Sequence, residues 1–261
     1  MILGFDLISF IALILPPLLY GFIIYLTSPY RSLKIKYSFN FIIGGIFSLI
    51  ILKFINFFFP FWDTTFFTDP FWQSFWIIAP REELSKFIMF LIIYKGLNNE
   101  FELHPITYMF YFGMVGLGFA IVENIGYVNN FGIWVLKFRT FGAVFVHMIC
   151  GMLFGYWIGI GKIRRYKYSI KTTISDTLIN FPKLKTFLYF LMGLITASCF
   201  HGLWNYNIKI FSGIAGPISI LMLMVGLLAC KLLSRDLINL HEKSIKIDPL
   251  KSRLDEEFSE Y

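Results

Sequence analysis

Residues 77–94, with the sequence IIAPREELSKFIMFLIIY, place four charged side chains inside an otherwise apolar stretch. Two of them are the adjacent carboxylates Glu82 and Glu83, and the other two are Arg81 and Lys86. A charge at the centre of a membrane helix costs about 2.5–3.5 kcal/mol on insertion scales, so such groups mark function or a charged partner. We therefore take the glutamate pair as the first candidate for chemistry.

Three further apolar stretches each carry isolated polar residues. Glu123 lies in GFAIVENIGY, His147 lies in VFVHMICG, and His201 and Asn205 lie in CFHGLWNY. Residues four apart share one helix face, so His201 and Asn205 are expected to face the same cavity. The polar residues fall in four consecutive apolar segments, which favours one shared site.

These residue types allow three classes of function. Glutamate and histidine can ligate zinc while another glutamate acts as general base, or a glutamate can activate water without metal while His and Asn stabilise the oxyanion. Both routes hydrolyse an amide. Alternatively, Glu123 and His201 could relay protons or cations in a transporter. The third class is a structural polar core, in which Glu82 pairs with Lys86 or Arg81 with Glu83.

The composition predicts an all-α, polytopic integral membrane protein. The chain is 57% hydrophobic and only 15% charged, against about 25% charged residues in soluble domains. Spanning helices need about 20 apolar residues, and seven segments meet this length. They are 3–26, 39–59, 71–94, 105–128, 133–160, 186–206 and 214–233. The first is expected to be a retained span rather than a cleaved signal.

Two of these segments have local features that refine the prediction. Pro80 interrupts the third segment, so the continuous helix is expected to begin there, with residues 71–79 forming a re-entrant or interfacial piece. In the fifth segment, Gly151, Gly155 and Gly159 recur every four residues, which predicts close helix packing. The three cysteines lie in apolar runs and are expected to be small buried helix residues.

The loop charges predict the orientation. Arg31, Lys34 and Lys36 occupy the first loop, and many cations occupy residues 162–185, whereas the second loop, FPFWDTTFFTDP, has only acids. Cytoplasmic loops collect Lys and Arg, so the N-terminus is expected outside and the C-terminus inside. The net charge of +7 is therefore assigned to topology and lipid contact, not to nucleic acid. Residues 1–235 form the predicted membrane domain, and residues 236–261 form a charged cytoplasmic tail, expected to be disordered.

The motifs together resemble those of the PrsW family of intramembrane proteases. EELSK has the form EExxK, FAIVEN has the form FxxxEN, and HGLWN has the form HxxxN, with His147 on the helix between the last two. The resemblance covers residues 80–205, within a predicted catalytic core of about 71–210. The HExxH motif of other intramembrane metalloproteases is missing from the sequence.

The resemblance implies peptide-bond hydrolysis in or beside a prokaryotic cell membrane. It assigns the water-activating base to Glu82 or Glu83, of which we favour Glu82, and leaves metal-dependent and glutamate-based chemistry open. If a metal such as Zn²⁺ is present, the implied ligands are Glu123, His147 and His201. The implied substrate is a membrane protein or peptide, such as an anti-sigma-like factor.

The remaining residues of the motifs have supporting roles in this comparison. Asn205 is expected to orient the reaction intermediate, and Lys86 to balance charge. Phe119 and Asn124, from the FxxxEN motif, are expected to support the site. All of these residues fall in the outer half of the predicted bilayer or near its middle.

Overall fold

The computed structural model describes residues 7–28, 34–60, 68–97, 104–174, 183–211 and 215–245. Every regular element within these ranges is helical, which confirms the all-α prediction. The α-helices in chain order are α1 Leu7–Thr27, α2 Ile35–Phe58, α3 Pro70–Trp72, α4 Ala79–Gly96, α5 Pro105–Phe131, α6 Leu136–Phe141, α7 Ala143–Ile174, α8 Lys183–Ile210 and α9 Ala215–Ile245. A π-helix, Gln73–Ile78, joins α3 to α4, and a 3₁₀ turn, Ile133–Val135, precedes α6.

Five helical segments of the described chain are long and apolar enough to cross a membrane. They are Ile35–Phe58, Pro105–Phe131, Ile133–Arg165, Leu184–Ile210 and Gly216–Ser244. The apolar part of α1, Ile11–Thr27, is shorter, and the segment around α4 carries the charges noted above. The polytopic helical bundle is therefore confirmed, with helices at all seven predicted positions, while the orientation stays a prediction.

The third segment is continuous, which corrects the expected re-entrant piece at residues 71–79. Asp69 caps α3 by accepting hydrogen bonds from the N–H groups of Phe71, at 2.8 Å, and Trp72. The π-helix then leads directly into α4, and the Ala79 N–H donates to the Ser74 carbonyl five residues back. A proline ring crowds the carbonyl four residues before it and has no N–H, and the wider π-turn before Pro80 accommodates both features. The continuous helix therefore begins at Pro70 and not near Pro80 as expected, although its second α-helical part, α4, does begin at Ala79.

The fifth predicted span begins later than expected. The 3₁₀ turn and α6 occupy residues 133–141, the chain turns at Gly142, and α7 runs from Ala143 to Ile174, well past residue 160. On α6, Phe138 and Phe141 are largely exposed, as suits a short helix against lipid. The helix was expected from residue 133 because residues 133–138 are apolar apart from Lys137.

Helices α5 and α7 pack with their backbones in close contact along the predicted glycine face. A Cβ atom on Gly151 would lie 2.3 Å from the Phe112 carbonyl oxygen, and one on Gly155 would lie 2.4 Å from that of Tyr108. Gly159 lies as close to α5, with its added Cβ 2.7 Å from the Pro105 carbonyl oxygen. The glycine prediction is confirmed, and this packing holds together the two helices that carry Glu123 and His147.

The last helix is longer than predicted. Helix α9 continues to Ile245, so residues 236–245 of the expected disordered tail are helical, and the Tyr156 hydroxyl donates to the Asp236 carboxylate at 2.7 Å. Apolar residues continue to recur on one face of the helix after residue 235, and Leu237 is fully buried. Residues 246–261 lie outside the described ranges, as do the first-loop Arg31 and the second-loop Asp63.

Candidate active site

Four helices bring six of the predicted polar residues into one cluster. Helix α4 supplies Glu82, Glu83 and Lys86, α5 supplies Glu123, α7 supplies His147, and α8 supplies His201. The expectation of one shared site on these helices agrees with this geometry. The cluster divides into a closed carboxylate, a histidine chain and an open carboxylate.

Glu83 is the closed carboxylate. Its Oε1 accepts hydrogen bonds from Lys86 Nζ at 2.7 Å and His201 Nδ1 at 2.8 Å. The side chains of Glu83 and Lys86 are fully buried. A buried charge needs such a partner because removing it from water is costly. Lys86 thus pairs with the glutamate three residues before it, and not with Glu82 as the spacing of four suggested.

His147 connects the lysine to a second carboxylate. Lys86 Nζ lies 3.0 Å from His147 Nδ1, and His147 Nε2 lies 2.7 Å from Glu123 Oε2. A lysine ammonium only donates, so Nδ1 accepts and Nε2 carries the proton that bonds Glu123. The Phe119 ring packs against both ends of this contact, 4.3 Å from Lys86 Nζ and 5.1 Å from the centre of the His147 ring.

Arg139 on α6 completes the chain, and the sequence analysis missed it. Its guanidinium donates to Glu123 Oε2 and, at 2.6 Å, to Asn124 Oδ1. It also stacks over the Tyr127 ring at 3.6 Å. The available signal was a pair of cations, Lys137 and Arg139, within the otherwise apolar run before His147, since such charges indicate a charge partner in a membrane segment.

Glu82 is the open carboxylate. Its side chain is 12% exposed, and its Oε2 forms no hydrogen bond with the described residues. His201 Nε2 lies 3.7 Å from this oxygen. Because His201 Nδ1 donates to Glu83, the Nε2 lone pair faces the free oxygen of Glu82. Glu83 Oε2 also lacks a partner among the described residues, but the whole side chain is sealed from the surface.

The two remaining predicted residues lie at the edge of the cluster. Asn205 is half-buried one turn after His201, and its side chain makes none of the cluster's hydrogen bonds. Arg81 does not bond Glu83, since its Nε donates to the Ile77 carbonyl at 2.9 Å and its Nη1 to Asn56 Oδ1 at 2.8 Å. The suggested structural pair of Arg81 with Glu83 is therefore wrong.

The donor atoms of the cluster fit a divalent metal ion. One ligand atom each from Glu82, His147 and His201 lie within 4.8 Å of one another, as do atoms of Glu83, Cys150 and His201. A glutamate with two histidines is a common set of catalytic zinc ligands, and the Glu83 carboxylate behind His201 is the usual support for such a ligand. Glu82 is the carboxylate grouped with both histidines, whereas Glu123, in the predicted ligand set, is held by Arg139 and His147.

The cysteines separate into two environments. Cys150 and Cys230 are buried, as expected, and Cys199 is exposed. Cys150 lies one turn after His147 and close enough to Glu83 and His201 to share the second donor group. The sequence analysis assigned it only to packing, because a single cysteine in an apolar helix has no spacing signal.

The fold and the cluster define a polytopic membrane protein with a carboxylate–histidine centre of hydrolytic type. The model of the PrsW family intramembrane metalloproteases matches residues 35–230, and the chain belongs to this family. It is similar to the Protease PrsW of Oceanobacillus iheyensis, with 29% identity over 163 residues, which cover 61% of this chain and 66% of that protein. No solved structure matches the chain.

These comparisons confirm several predictions. The family resemblance was correct, and the match extends beyond residues 80–205 on both sides. The family is one of intramembrane metalloproteases, which agrees with the predicted class of enzyme, and the relative is bacterial. The transporter alternative has no support from these relatives.

Proposed function

We propose that this chain is an endopeptidase that cleaves a membrane-associated protein or peptide inside the bilayer. The observation that carries the proposal is the free Oε2 of Glu82, buried beside two histidines on different helices. A buried carboxylate oxygen without a partner is costly in a structural core. It is useful in a site that must hold water or a metal ion.

We assign the metal to Glu82, His147 and His201, and zinc is the ion that this donor set suits. Because Lys86 and Glu123 occupy the two ring nitrogens of His147, the metal would have to replace one of these two partners. A divalent ion there supplies Lewis acidity to water and to the scissile carbonyl. Without metal, Glu82 would instead remove the proton from the attacking water as general base. Glu82 is essential in both routes, but only in the first does its loss also lower the metal content.

The other residues orient these groups. Lys86 and Glu83 hold His201 with its Nε2 towards Glu82, and this support is expected to matter as much as a ligand. Arg139 and Glu123 hold His147 in the same way from the opposite side. Asn205, one turn beyond His201, is proposed to donate to the substrate carbonyl as negative charge develops on it.

The substrate class follows from the position of the cluster within the bundle. Helices α5, α7 and α8 are long and apolar enough to be membrane spans, and α4 packs against all three, so the substrate must reach the site from the bilayer or its edge. A protein anchored by a single span, such as an anti-sigma-like regulator, meets this requirement. In the predicted orientation, the cluster lies in the outer half of the membrane.

A cleavage assay in liposomes tests the proposal. Purified full-length protein would be reconstituted with a panel of single-span reporter proteins, and cleavage would be followed with and without a chelator. Glu82→Gln is expected to lower the cleavage rate by about 100-fold or more, the usual size of acid–base or metal contributions. Glu242→Gln, an exposed glutamate at the far end of α9, is the matched control and should cleave normally.

Metal analysis separates the two chemical routes. If zinc co-purifies with the wild type and is reduced in Glu82→Gln and His201→Ala, the metal assignment is supported. Chelator-resistant cleavage by a metal-free protein would contradict the metal assignment and leave Glu82 as general base. Full activity of Glu82→Gln would contradict the proposed site altogether. Proton flux without cleavage, stopped by Glu123→Gln, would favour the transport alternative.

A further inference from the structure

A cavity lined by none of the catalytic residues lies between α1 and α9. It has a volume of about 590 Å³, within the range typical of ligand sites, and it is bounded by α1, α5, α7 and α9. We call it the α1–α9 groove.

The groove is apolar along its length and closed at one end. Ile24, Met152 and Leu227 form its middle. At the closed end, the Tyr20 and Phe145 rings are in contact, with centroids 4.3 Å apart, and the Tyr20 hydroxyl reaches the Thr140 carbonyl. A narrow apolar space of this form suits a hydrocarbon chain.

The opposite end of the groove is cationic. Lys231 and Arg235 lie one turn apart on α9, both exposed, with Ser234 between them and Thr27 facing them from α1. Neither cation forms an ion pair with another described residue. The neighbouring acid, Asp236, accepts a hydrogen bond from the Tyr156 hydroxyl of α7 and forms an ion pair with neither cation, so both cations are available to an anionic ligand.

The cations also lie at the expected depth for a lipid headgroup. In the predicted orientation α1, α7 and α9 all run from outside to inside. Lys231 follows the apolar half of α9, on the same side of the membrane as Arg164 and Arg165 of α7. The cytoplasmic leaflet carries anionic lipids, and each basic residue near it contributes about 1 kcal/mol of attraction.

We propose that the α1–α9 groove is a binding site for one anionic phospholipid. An acyl chain lies along Ile24, Met152 and Leu227, and the phosphate accepts hydrogen bonds from Lys231 and Arg235. The hydroxyls of Thr27 and Ser234 lie beside the same end. The inference does not depend on the proposed proteolysis, because it uses none of the catalytic residues.

Lipid retention by the purified protein tests this site. The full-length protein in detergent would be titrated with dioleoyl phosphatidylglycerol or dioleoyl phosphatidylcholine, and bound lipid would be counted by native mass spectrometry. The wild type should retain one phosphatidylglycerol in preference to phosphatidylcholine. Lys231→Gln/Arg235→Gln should weaken phosphatidylglycerol binding about 10- to 30-fold, as two lost charges imply.

Matched variants separate the groove from general surface attraction. Arg164→Gln/Arg165→Gln removes the same charge from exposed positions outside the groove and should retain the lipid. Leu227→Trp fills the apolar part and should lose it, while Lys231→Arg/Arg235→Lys should keep it. Circular dichroism and the unfolding temperature in detergent would identify variants that fail to fold.

Two results would overturn the proposal. One is equal retention of both lipids by the wild type, which would mean that the cations do not select a headgroup. The other is an equal loss of phosphatidylglycerol in the Arg164/Arg165 variant and the Lys231/Arg235 variant. That result would mean that the lipid is held by surface charge rather than in the groove.

Discussion

Lys86 connects the closed carboxylate Glu83 to the histidine chain that begins at His147. Its ammonium contacts Glu83 Oε1 and His147 Nδ1 and lies over the Phe119 ring, with no exposure to solvent. It therefore compensates a buried carboxylate and sets the tautomer of a histidine at the same time. The pairing with Glu83 was not the one suggested by sequence spacing, since three- and four-residue spacings both place side chains on one face.

Removing Lys86 should destabilise the protein more than removing the whole pair. Lys86→Met leaves the Glu83 carboxylate buried without its cation, which should cost about 3–5 kcal/mol. Lys86→Met/Glu83→Gln removes both charges and should recover part of that loss. Unfolding of both variants in mixed micelles would measure the difference. If the double variant were no more stable than Lys86→Met, the ion pair would not be the source of the effect.

Arg139 should act through Glu123 and His147 rather than on the substrate directly. Arg139→Gln is expected to lower both the metal affinity and kcat roughly 10- to 100-fold, the usual effect of losing a supporting residue. Arg139→Lys keeps the charge but not the two-pronged contact with Glu123 and Asn124, so it should retain an intermediate activity. Unchanged metal affinity in Arg139→Gln would show that the residue does not position a ligand.

At the scale of helices, the approach of α5 to α7 sets the spacing of the cluster. Gly155→Ala would place a Cβ atom 2.4 Å from the Tyr108 carbonyl oxygen, so the two backbones must separate, at an expected cost of about 1–3 kcal/mol. Cleavage activity should fall together with stability, because separating the two backbones moves His147 away from Glu123. Gly126→Ala is the control, since a Cβ there meets nothing within 4 Å. Equal effects of the two substitutions would contradict the packing argument.

The N-terminus of α5 should make stability depend on pH. His104 caps this helix by accepting the Ile106 N–H at its Nδ1, and burial, with the nearby His241, lowers the pKa of His104 from 6.5 to about 4. Between pH 6.5 and pH 4, His104 binds more protons in the unfolded chain than in the folded chain. The stabilising effect of the neutral His104 cap is therefore complete above pH 6.5 and is lost as the pH falls towards 4.

The His104→Asn variant provides the test of this pH dependence. Asparagine also caps helix N-termini but does not titrate, so the variant should lose less stability on acidification than the wild type. The unfolding temperature measured between pH 7.5 and pH 4.5 would show this. Parallel pH profiles for the two proteins would contradict the role of His104.

The helices were predictable from sequence to the extent that hydropathy determines them. Runs of about 20 apolar residues predicted the long helices, and the four-residue glycine spacing predicted the α5–α7 contact. The π-helix before Pro80 and the short α6 were not predicted, because both lie within stretches as apolar as a span. In the site, isolated charges in apolar helices identified Glu82, Glu123 and both histidines. Arg139 was missed because it lies on a connection whose position depends on tertiary packing.

At the scale of the whole molecule, orientation determines which side of the membrane the site serves. The loop cations predict an external N-terminus and a cytoplasmic C-terminus. A fluorescent protein fused after residue 261 should therefore fluoresce in cells, and alkaline phosphatase fused there should be inactive. The reverse pattern would place the catalytic cluster in the cytoplasmic half and the cationic end of the α1–α9 groove outside.

The π-helix before α4 has a consequence for chain length. A π-turn is an α-helix that has taken in one extra residue. Deleting one residue within Gln73–Ile78 would convert it to α-helix and rotate everything before it by about 100°, while Glu82 and Glu83 would keep their direction. The hydrogen bond between Gln73 and Lys209 of α8, at 2.8 Å, would be lost. The positions of Glu82 and Glu83 relative to His147 and His201 would not change. Relatives of this chain can therefore differ by one residue at this position and still present the same two glutamates to the same histidines.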